Sequence, residues 1–194
     1  MKQETATPSA AEAAFRRFCA GEQSAFNVVL EEFRQGLIYF LYGYVHNLDA
    51  AEDLAEDTFV ELLVHPNRFH GQSLLKTYLF AVARHKAIDY VRREKRRGAM
   101  PLEELDKEYF GNDRPSVEEG FEALERAETL ERAMRGLPEE QCEVLRLLYI
   151  ERLSYEEIAA VMHKTKKQVD NLAYRARNVL REDLRKEGLF SEER

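Results

Sequence analysis

The sequence predicts an all-α protein made of two small helical domains that are joined by a flexible acidic linker. Apolar residues recur at three- and four-residue steps through much of the chain, as they do along one face of an α-helix. Glycine and proline are scarce, at 9 and 5 of 194 residues, which disfavours a turn-rich β-sandwich. Charge also changes sign twice along the chain. We therefore predict domains at 1–97 and 129–194, with the linker at 98–128.

The formal net charge of −7 hides a strong charge pattern. Arg84–Arg97 holds seven Lys or Arg and two acids, and His163–Arg181 holds six and one. Pro101–Glu128, between them, holds three basic residues and ten acids. The pattern favours two polyanion-binding surfaces with an acidic connector, with plainly solvated helix faces as the alternative.

Two helices are predicted to follow one another closely in the N-terminal half. Ser24–Asn47 has the apolar spacing of one long amphipathic helix. Asp49 and Glu52 have the spacing of a capping box, and we expect them to open a second helix that continues to about Val64. Acids in its first turn suit the positive end of the helix dipole.

A loop and a basic helix come next. His65–Ser73 contains a proline and a glycine, which predict a loop. Lys76–Arg97 resumes helical spacing, whereas Gly98–Pro115 is irregular. Ser116–Glu119 has the pattern of a helix cap, and Pro138 suits the first position of a further helix.

Two capping boxes lie close together near the C-terminus, Ser154 with Glu157 and Thr165 with Gln168. Only His163 and one lysine remain between the two helices as a turn, and a histidine tolerates positive φ better than most residues. A short helix, a short turn and a second helix form the helix-turn-helix pattern.

The second of these helices has a face suited to DNA. Its inner side is expected to bury Val169, Leu172 and Ala176, and the first helix to bury Ile158, Ala159 and Met162. Amides of Gln and Asn pair with adenine, and Arg and Lys pair with guanine or phosphate. The outward residues are Lys166, Lys167, Gln168, Asn171, Tyr174, Arg175 and Arg177. An ordinary helical hairpin with a basic face is the alternative.

Aromatic residues interleave with charge on the basic helix of the N-terminal half. Unpaired bases stack on aromatic side chains while Lys and Arg follow the backbone, so the mixture favours binding to separated strands. Packing of the rings in the core is the alternative. The candidate residues are Lys76, Tyr78, Phe80, Arg84, His85, Lys86, Tyr90, Arg92 and Arg93.

Carboxylates cluster on the preceding helix, where Asp53, Asp57 and Glu61 recur every four residues beside Glu52 and Glu56. A di-iron site would need Glu-x-x-His repeats on separate helices, which the sequence lacks. An acidic face that docks on a basic protein is therefore expected, with plain solvation as the alternative.

Several classes of protein are disfavoured. The segment "MKQETATPSA" lacks the apolar core of a signal peptide, and Leu37–Val45 is far shorter than the ~20 residues of a membrane span. Cys19 and Cys142 are expected to be small buried residues in a reducing cytoplasm. No nucleophile–base pair, phosphate-binding loop or metal cluster is evident. We expect a cytoplasmic protein with no catalytic residues, cofactor, metal or membrane insertion.

Four segments, in this order and spacing, resemble the sigma-70 superfamily of RNA polymerase sigma factors, in its extracytoplasmic-function (ECF) group. They are "DAAEDLAEDTF", "TYLFAVARHKAIDYVRREKRR", "LPEEQCEVLRLLY" and "LSYEEIAAVM…VDNLAYRAR". The resemblance covers the chain from about Phe15 to Arg185. It departs from the family pattern at Tyr78, where a Trp is common, and at His85, where an Asn is common.

The resemblance implies a bacterial protein that binds core RNA polymerase and directs promoter-specific transcription initiation. Residues 1–97 would form a region 2-like domain and 129–194 a region 4-like domain. Glu52, Asp53, Glu56 and Asp57 would dock on the clamp coiled coil of the largest polymerase subunit. The Lys76–Arg97 helix and the His65–Ser73 loop would melt and hold the −10 element, and the Thr165–Arg177 helix would read the −35 element. Whether an anti-sigma factor binds as well is left open.

Two other functions are consistent with parts of the pattern. One is a two-domain helix-turn-helix DNA-binding regulator that does not recruit core polymerase; stable, specific duplex binding by the free protein would favour it. The other is an enzyme with a carboxylate-bound metal in the first domain, which a metal assay would test.

Overall fold

The computed structural model describes residues 9–98, 134 and 136–186. Every regular element among these residues is helical, which confirms the predicted all-α class. The chain divides into two compact units, Met1–Met100 and Pro101–Arg194. The acidic linker and the predicted cap at Ser116–Glu119 lie outside the described residues.

The described residues of the first unit form four α-helices: α1 (Ala10–Cys19), α2 (Phe26–Val45), α3 (Leu48–Val64) and α4 (Leu75–Arg97). Two short 3₁₀ turns, Gln23–Ala25 and Pro66–Arg68, lie before α2 and after α3. The predicted helices and the predicted loop therefore agree with the structure to within two residues at most of their ends.

The central helix of the first unit is α2, and α1, α3 and α4 all pack against it. Residues 37–42 are buried without interruption, so this stretch has no solvent-facing side. Phe40 is 1% exposed, and Leu37 and Leu41 are fully buried. The helix ends at His46, whose left-handed backbone (φ 50°) turns the chain towards α3.

The start of α3 differs from the prediction. Asn47 is the N-cap, and its Oδ1 accepts a hydrogen bond from the Ala50 N–H at 2.8 Å. The predicted capping box of Asp49 and Glu52 is wrong. A capping residue stands directly before the first helical residue, and that position is held by the extended Asn47, because the helix begins at Leu48. Asp49 lies instead in the first helical turn, where its charge suits the helix dipole.

The second unit contains α5 (Glu139–Leu145), which continues into a π-helical turn (Arg146–Ile150), α6 (Tyr155–Met162) and α7 (Lys166–Lys186). Pro138 is the N-cap of α5, one residue ahead of the predicted position. A core cluster joins α5 to α7 through Met134, Cys142, Leu145, Ala176 and Leu180. None of the described helices is both long enough and apolar enough to cross a membrane.

The two cysteines have different surroundings. Cys142 is buried, as predicted, and its Sγ lies 3.4 Å from the Met134 carbonyl oxygen. Cys19 is exposed, so its predicted burial is wrong. It is the last residue of α1, and residues 20–24 after it are exposed as well, so no element in the described part of the chain covers it.

Candidate nucleic-acid interface

Two reciprocal caps fix the helix-turn-helix of the second unit. The Ser154 Oγ accepts from the Glu157 N–H at 3.3 Å, and the Glu157 Oε2 accepts from the Ser154 N–H at 2.6 Å. At α7, the Thr165 Oγ1 accepts from the Gln168 N–H at 3.2 Å, and the Gln168 Oε1 accepts from the Thr165 N–H at 2.8 Å. Both predicted capping boxes are confirmed.

The turn between α6 and α7 is also held from outside. His163 adopts the left-handed conformation (φ 52°, ψ 45°), which the sequence required of a turn this short. The Lys164 Nζ lies 2.8 Å from the Glu140 carboxylate of α5. The direction in which α7 leaves the turn is therefore fixed by both neighbouring helices.

One face of α7 is buried and the opposite face is exposed. Val169, Ala173 and Ala176 are fully buried, whereas Leu172, expected in the core, is half-buried, as is Ala159 of α6. Side chains of six of the seven predicted DNA-contacting residues are exposed: Lys166, Lys167, Gln168, Asn171, Tyr174 and Arg175. The structure thus brings these six together on one surface.

Arg177 is less exposed than predicted. It is half-buried, and its Nε donates a hydrogen bond to the Ala173 carbonyl oxygen at 3.2 Å. Burial lowers the pKa of Arg177, but the neighbouring phenols of Tyr155 and Tyr149 raise it and prevail. These contacts tie α7 to α6 and to the π-helical turn, so Arg177 also supports the position of the exposed face of α7.

Two of the exposed residues already have partners in the protein. The Lys166 ammonium pairs with the Glu156 carboxylate of α6, and this hydrogen bond lowers the pKa of Glu156 and raises that of Lys166. Gln168 uses its Oε1 as the cap of Thr165. The amide nitrogen of Gln168 is the part of that side chain left to face a ligand.

The aromatic residues of α4 separate onto different faces. Phe80 is fully buried, with its ring 5.2 Å from that of Phe40, so the prediction that it contacts DNA is wrong. Its ring is also covered by the Lys76 Nζ, 5.5 Å from the ring centroid. Helical periodicity explains the difference: Phe80 is two positions from Tyr78 and therefore points almost to the opposite side of the helix.

Tyr78 lies at the edge of the core beside the 65–74 loop. It is half-buried, and its ring centroid lies 5.4 Å from that of Phe69 in the loop. Burial and the Glu61 carboxylate raise the pKa of Tyr78, and the opposing effect of Arg68 is smaller. The phenol is therefore protonated at neutral pH, and part of an uncharged ring faces solvent.

The remaining candidates on α4 are polar. His85, Arg92 and Arg93 are exposed, whereas Lys76, Arg84, Lys86 and Tyr90 are half-buried. Asp89 lies between His85 and Arg92, 3.3 Å from the His85 Nε2 and 3.6 Å from the Arg92 Nη1. The sequence prediction missed these two contacts of Asp89, although the i, i+3 and i, i+4 spacing signals them.

The acidic face of α3 is exposed as predicted and extends further than predicted. Asp53, Glu56 and Asp57 are exposed, and Glu52 is half-buried. Three large apolar side chains continue the same row at three- and four-residue steps. They are Val60 (55% exposed), Leu63 (47%) and Val64 (57%). We call these six exposed residues the α3 face. Its mixture of carboxylates and uncovered apolar groups is typical of a protein-docking surface.

Within the described residues, no group of three or more His, Cys, Asp or Glu side chains is placed to hold a metal ion. The carboxylates of the α3 face point outward along the helix instead of converging. The described residues therefore present three exposed helix faces, on α3, α4 and α7.

Comparison with known proteins agrees with the division of the chain into two units. The model of sigma-70 region 2 matches residues 29–97, and that of sigma-70 region 4 matches residues 127–180. The RNA polymerase sigma factor YlaC of Bacillus subtilis (strain 168) is 30% identical over 158 residues, which cover 80% of this chain and 89% of YlaC. The chain belongs to the sigma-70 family.

Its group within the family follows from a further relative. The ECF RNA polymerase sigma factor SigM of the same organism is 31% identical over 142 residues, covering 73% of this chain and 84% of SigM. The chain is accordingly an ECF sigma factor, which binds core RNA polymerase and directs transcription initiation at promoters. A DNA-binding regulator that does not recruit polymerase is not favoured.

A solved structure shares the fold. It is the sigma factor RpoE of Bartonella quintana, solved in complex with the anti-sigma factor NepR. The likeness has a TM-score of 0.66 at 24% identity and covers 82% of this chain and 96% of the RpoE chain.

Proposed function

We propose that this sigma factor divides its work among three helical faces. The α3 face binds the clamp coiled coil of the largest polymerase subunit. Helix α4 and the 65–74 loop melt and hold the −10 element, and α7 reads the −35 element. The observation that most supports this division is the exposed row of amide and guanidinium groups on α7, opposite its buried side.

The −35 assignment rests on chemistry and spacing. Gln168, Asn171 and Arg175 follow one another at three- and four-residue steps, so they share one side of α7. Asn and Gln pair with adenine edges and Arg with guanine in the major groove. Lys166 and Lys167, at the start of the helix, are suited to phosphates, which position a protein on DNA without reading its sequence.

The −10 assignment rests on Tyr78 and the polar side of α4. An uncharged, partly exposed ring can stack on a base that has left the duplex. His85, Lys86, Arg92 and Arg93 lie further along the same helix and would follow the backbone of the separated strand. Phe80 contributes only indirectly, because it holds α4 on α2.

The polymerase assignment rests on the α3 face. Its carboxylates would meet a basic surface and steer association, and its apolar residues would supply burial once the surfaces meet. Binding through carboxylates alone would depend strongly on salt. Burial of Val60, Leu63 and Val64 adds a contribution to the binding free energy that salt does not screen.

Further parts of the proposal concern partners and location. We include an anti-sigma factor among the proposed partners, since RpoE, which shares the fold, is solved in complex with one. A factor of this kind acts in the cytoplasm, where the polymerase and promoter lie, and it serves transcription initiation without a reaction of its own.

Substitutions on α7 should separate base reading from phosphate binding. We expect Asn171→Ala and Arg175→Ala each to change the preference at one −35 position, at a cost of ~1–3 kcal/mol. Lys167→Ala should weaken binding to all sequences and reduce the salt slope by about 1. Holoenzyme binding to promoters varied at the −35 element measures both effects.

Gln168 needs its own pair of variants, because its side chain also caps α7. Gln168→Glu keeps the capping acceptor and removes the amide donor, whereas Gln168→Ala removes both. A similar change in base preference in the two variants supports base reading by Gln168. A uniform loss of affinity in every α7 variant would show that the face does not read sequence.

Tyr78 and Phe80 make a matched pair for the −10 element. We expect Tyr78→Ala to spare closed-complex formation and to impair opening, since stacking contributes only after the strands part; one base stack contributes ~1–3 kcal/mol. Phe80→Leu should cost part of the ~3–5 kcal/mol of a Phe→Ala change in a core, without a specific opening defect. Permanganate reactivity of the −10 region measures opening. Normal permanganate reactivity with Tyr78→Ala would show that this ring has only a structural role.

Two sets of variants test the α3 face. Charge reversal at Asp53 and Asp57 together should abolish core binding while far-UV circular dichroism stays unchanged. Val60→Ala with Val64→Ala should weaken core binding about tenfold or more, since burying an exposed valine contributes ~1.5 kcal/mol or more. Alanine favours a helix, so this loss could not come from unfolding of α3. Charge reversal at Glu22 and Glu31 changes net charge equally and serves as the control. Equal core binding by all variants would exclude this face.

A further inference from the structure

Helix α4 begins without a cap of its own. Its N-cap residue, Leu74, makes no side-chain hydrogen bond, and the first turn of α4 contains no acid. The first N–H groups of a helix need acceptors from elsewhere. One is supplied by α1: the Glu12 Oε1 accepts a hydrogen bond from the Leu75 N–H at 3.0 Å, across 63 residues of chain. A carboxylate at this end of a helix is also favoured by the helix dipole.

Helix α1 is itself fixed in place. The Glu32 Oε2 of α2 accepts a hydrogen bond from the Ala11 N–H at 3.1 Å. Ala11 and Ala14 are buried at 0% and 1% exposure, so α1 lies close against the rest of the unit. The Glu12 carboxylate is therefore held at a defined position relative to the central helix.

A row of aromatic rings forms a second connection from α1 to α4. Phe15 of α1 is 3% exposed and meets Phe69 of the 65–74 loop edge to face, with centroids 5.7 Å apart. Phe69 in turn lies 5.4 Å from Tyr78. Arg68, the residue directly before Phe69, pairs with Glu61 of α3. The loop is thus held between α1, α3 and the ring proposed to stack on a −10 base.

We propose that α1 is a positioning element for the −10 surface, with Glu12 fixing the start of α4 and Phe15 fixing Phe69 and, through it, Tyr78. This inference rests on the proposed −10 function of α4. Helix α1 lies ahead of the matched region 2 segment at 29–97 and carries none of the predicted contact residues. Glu12 reaches Leu75 directly and Phe15 reaches Tyr78 through Phe69, so both connections end within the first four residues of α4.

The full-length protein with core polymerase and a promoter provides the test. Glu12→Ala removes the acceptor of the Leu75 N–H, Glu12→Gln keeps a neutral acceptor, and Phe15→Leu removes the aromatic contact to Phe69. Glu22→Gln is the matched control, since Glu22 follows α1 and pairs with exposed Arg17 at 3.6 Å. We expect core binding to be unchanged in all four variants.

The rate of −10 opening, followed by permanganate reactivity, should fall about tenfold with Glu12→Ala, as expected for the loss of one well-placed hydrogen bond. Glu12→Gln should restore part of that loss, Phe15→Leu should also slow opening, and Glu22→Gln should match wild type. Combination with Tyr78→Ala should be non-additive, whereas combination with Lys167→Ala in the other unit should be additive.

Each contrary outcome has a distinct meaning. If the α1 variants lower core binding and opening in proportion to their folded fraction, α1 is only structural and the inference is wrong. If Tyr78→Ala slows opening and the α1 variants do not, the positioning role alone fails. If Tyr78→Ala opens normally, the −10 assignment fails and the positioning role fails with it. Should Glu12→Ala not fold, Glu12→Gln and Phe15→Leu decide.

Discussion

The arrangement of the helices in this sigma factor depends on one constraint: the first N–H groups of each helix need hydrogen-bond acceptors from outside the regular helix. Helices α6 and α7 satisfy it locally, with Ser154 and Thr165 in reciprocal capping boxes. Helix α3 uses the adjacent Asn47. Helix α4 instead takes an acceptor from α1, by way of Glu12. The start of α7 is therefore capped within its own segment of sequence, whereas the start of α4 is capped by a residue of a distant helix.

Helices α3, α4 and α7 each have one buried side and one side that remains accessible to solvent. Buried alanines and a valine set α7 against its neighbours and leave amide and guanidinium groups outward. On α4, buried Phe80 and half-buried Tyr78 lie two positions apart, so the packing that hides one leaves the other at the surface. On α3, the same periodicity joins carboxylates to Val60, Leu63 and Val64 in one exposed row. Packing thus determines which side chains are available for binding.

Features with local causes were predictable from the sequence. The two capping boxes, the left-handed His163 and the extents of the long helices all follow from residues within four positions of each other. The burial of Phe80 and the partial burial of Arg177 could not be predicted in this way. They depend on Phe40, Tyr149 and Tyr155, which only the fold brings near. The contact of Glu12 with Leu75 spans 63 residues and gives no local signal. The exposed apolar end of the α3 face could have been found by extending the row of acids along the helix.

The central claim is that this chain gives core RNA polymerase its promoter specificity through two separate DNA-binding surfaces. In-vitro transcription from a randomised promoter library, with core polymerase and the full-length protein, tests it most directly. The account predicts that transcripts appear only when both proteins are present. It also predicts that the selected templates share two conserved blocks at a constant spacing, one at −10 and one at −35. Selected sequences that are bound equally well by the free protein, with no transcripts that depend on it, would contradict the account.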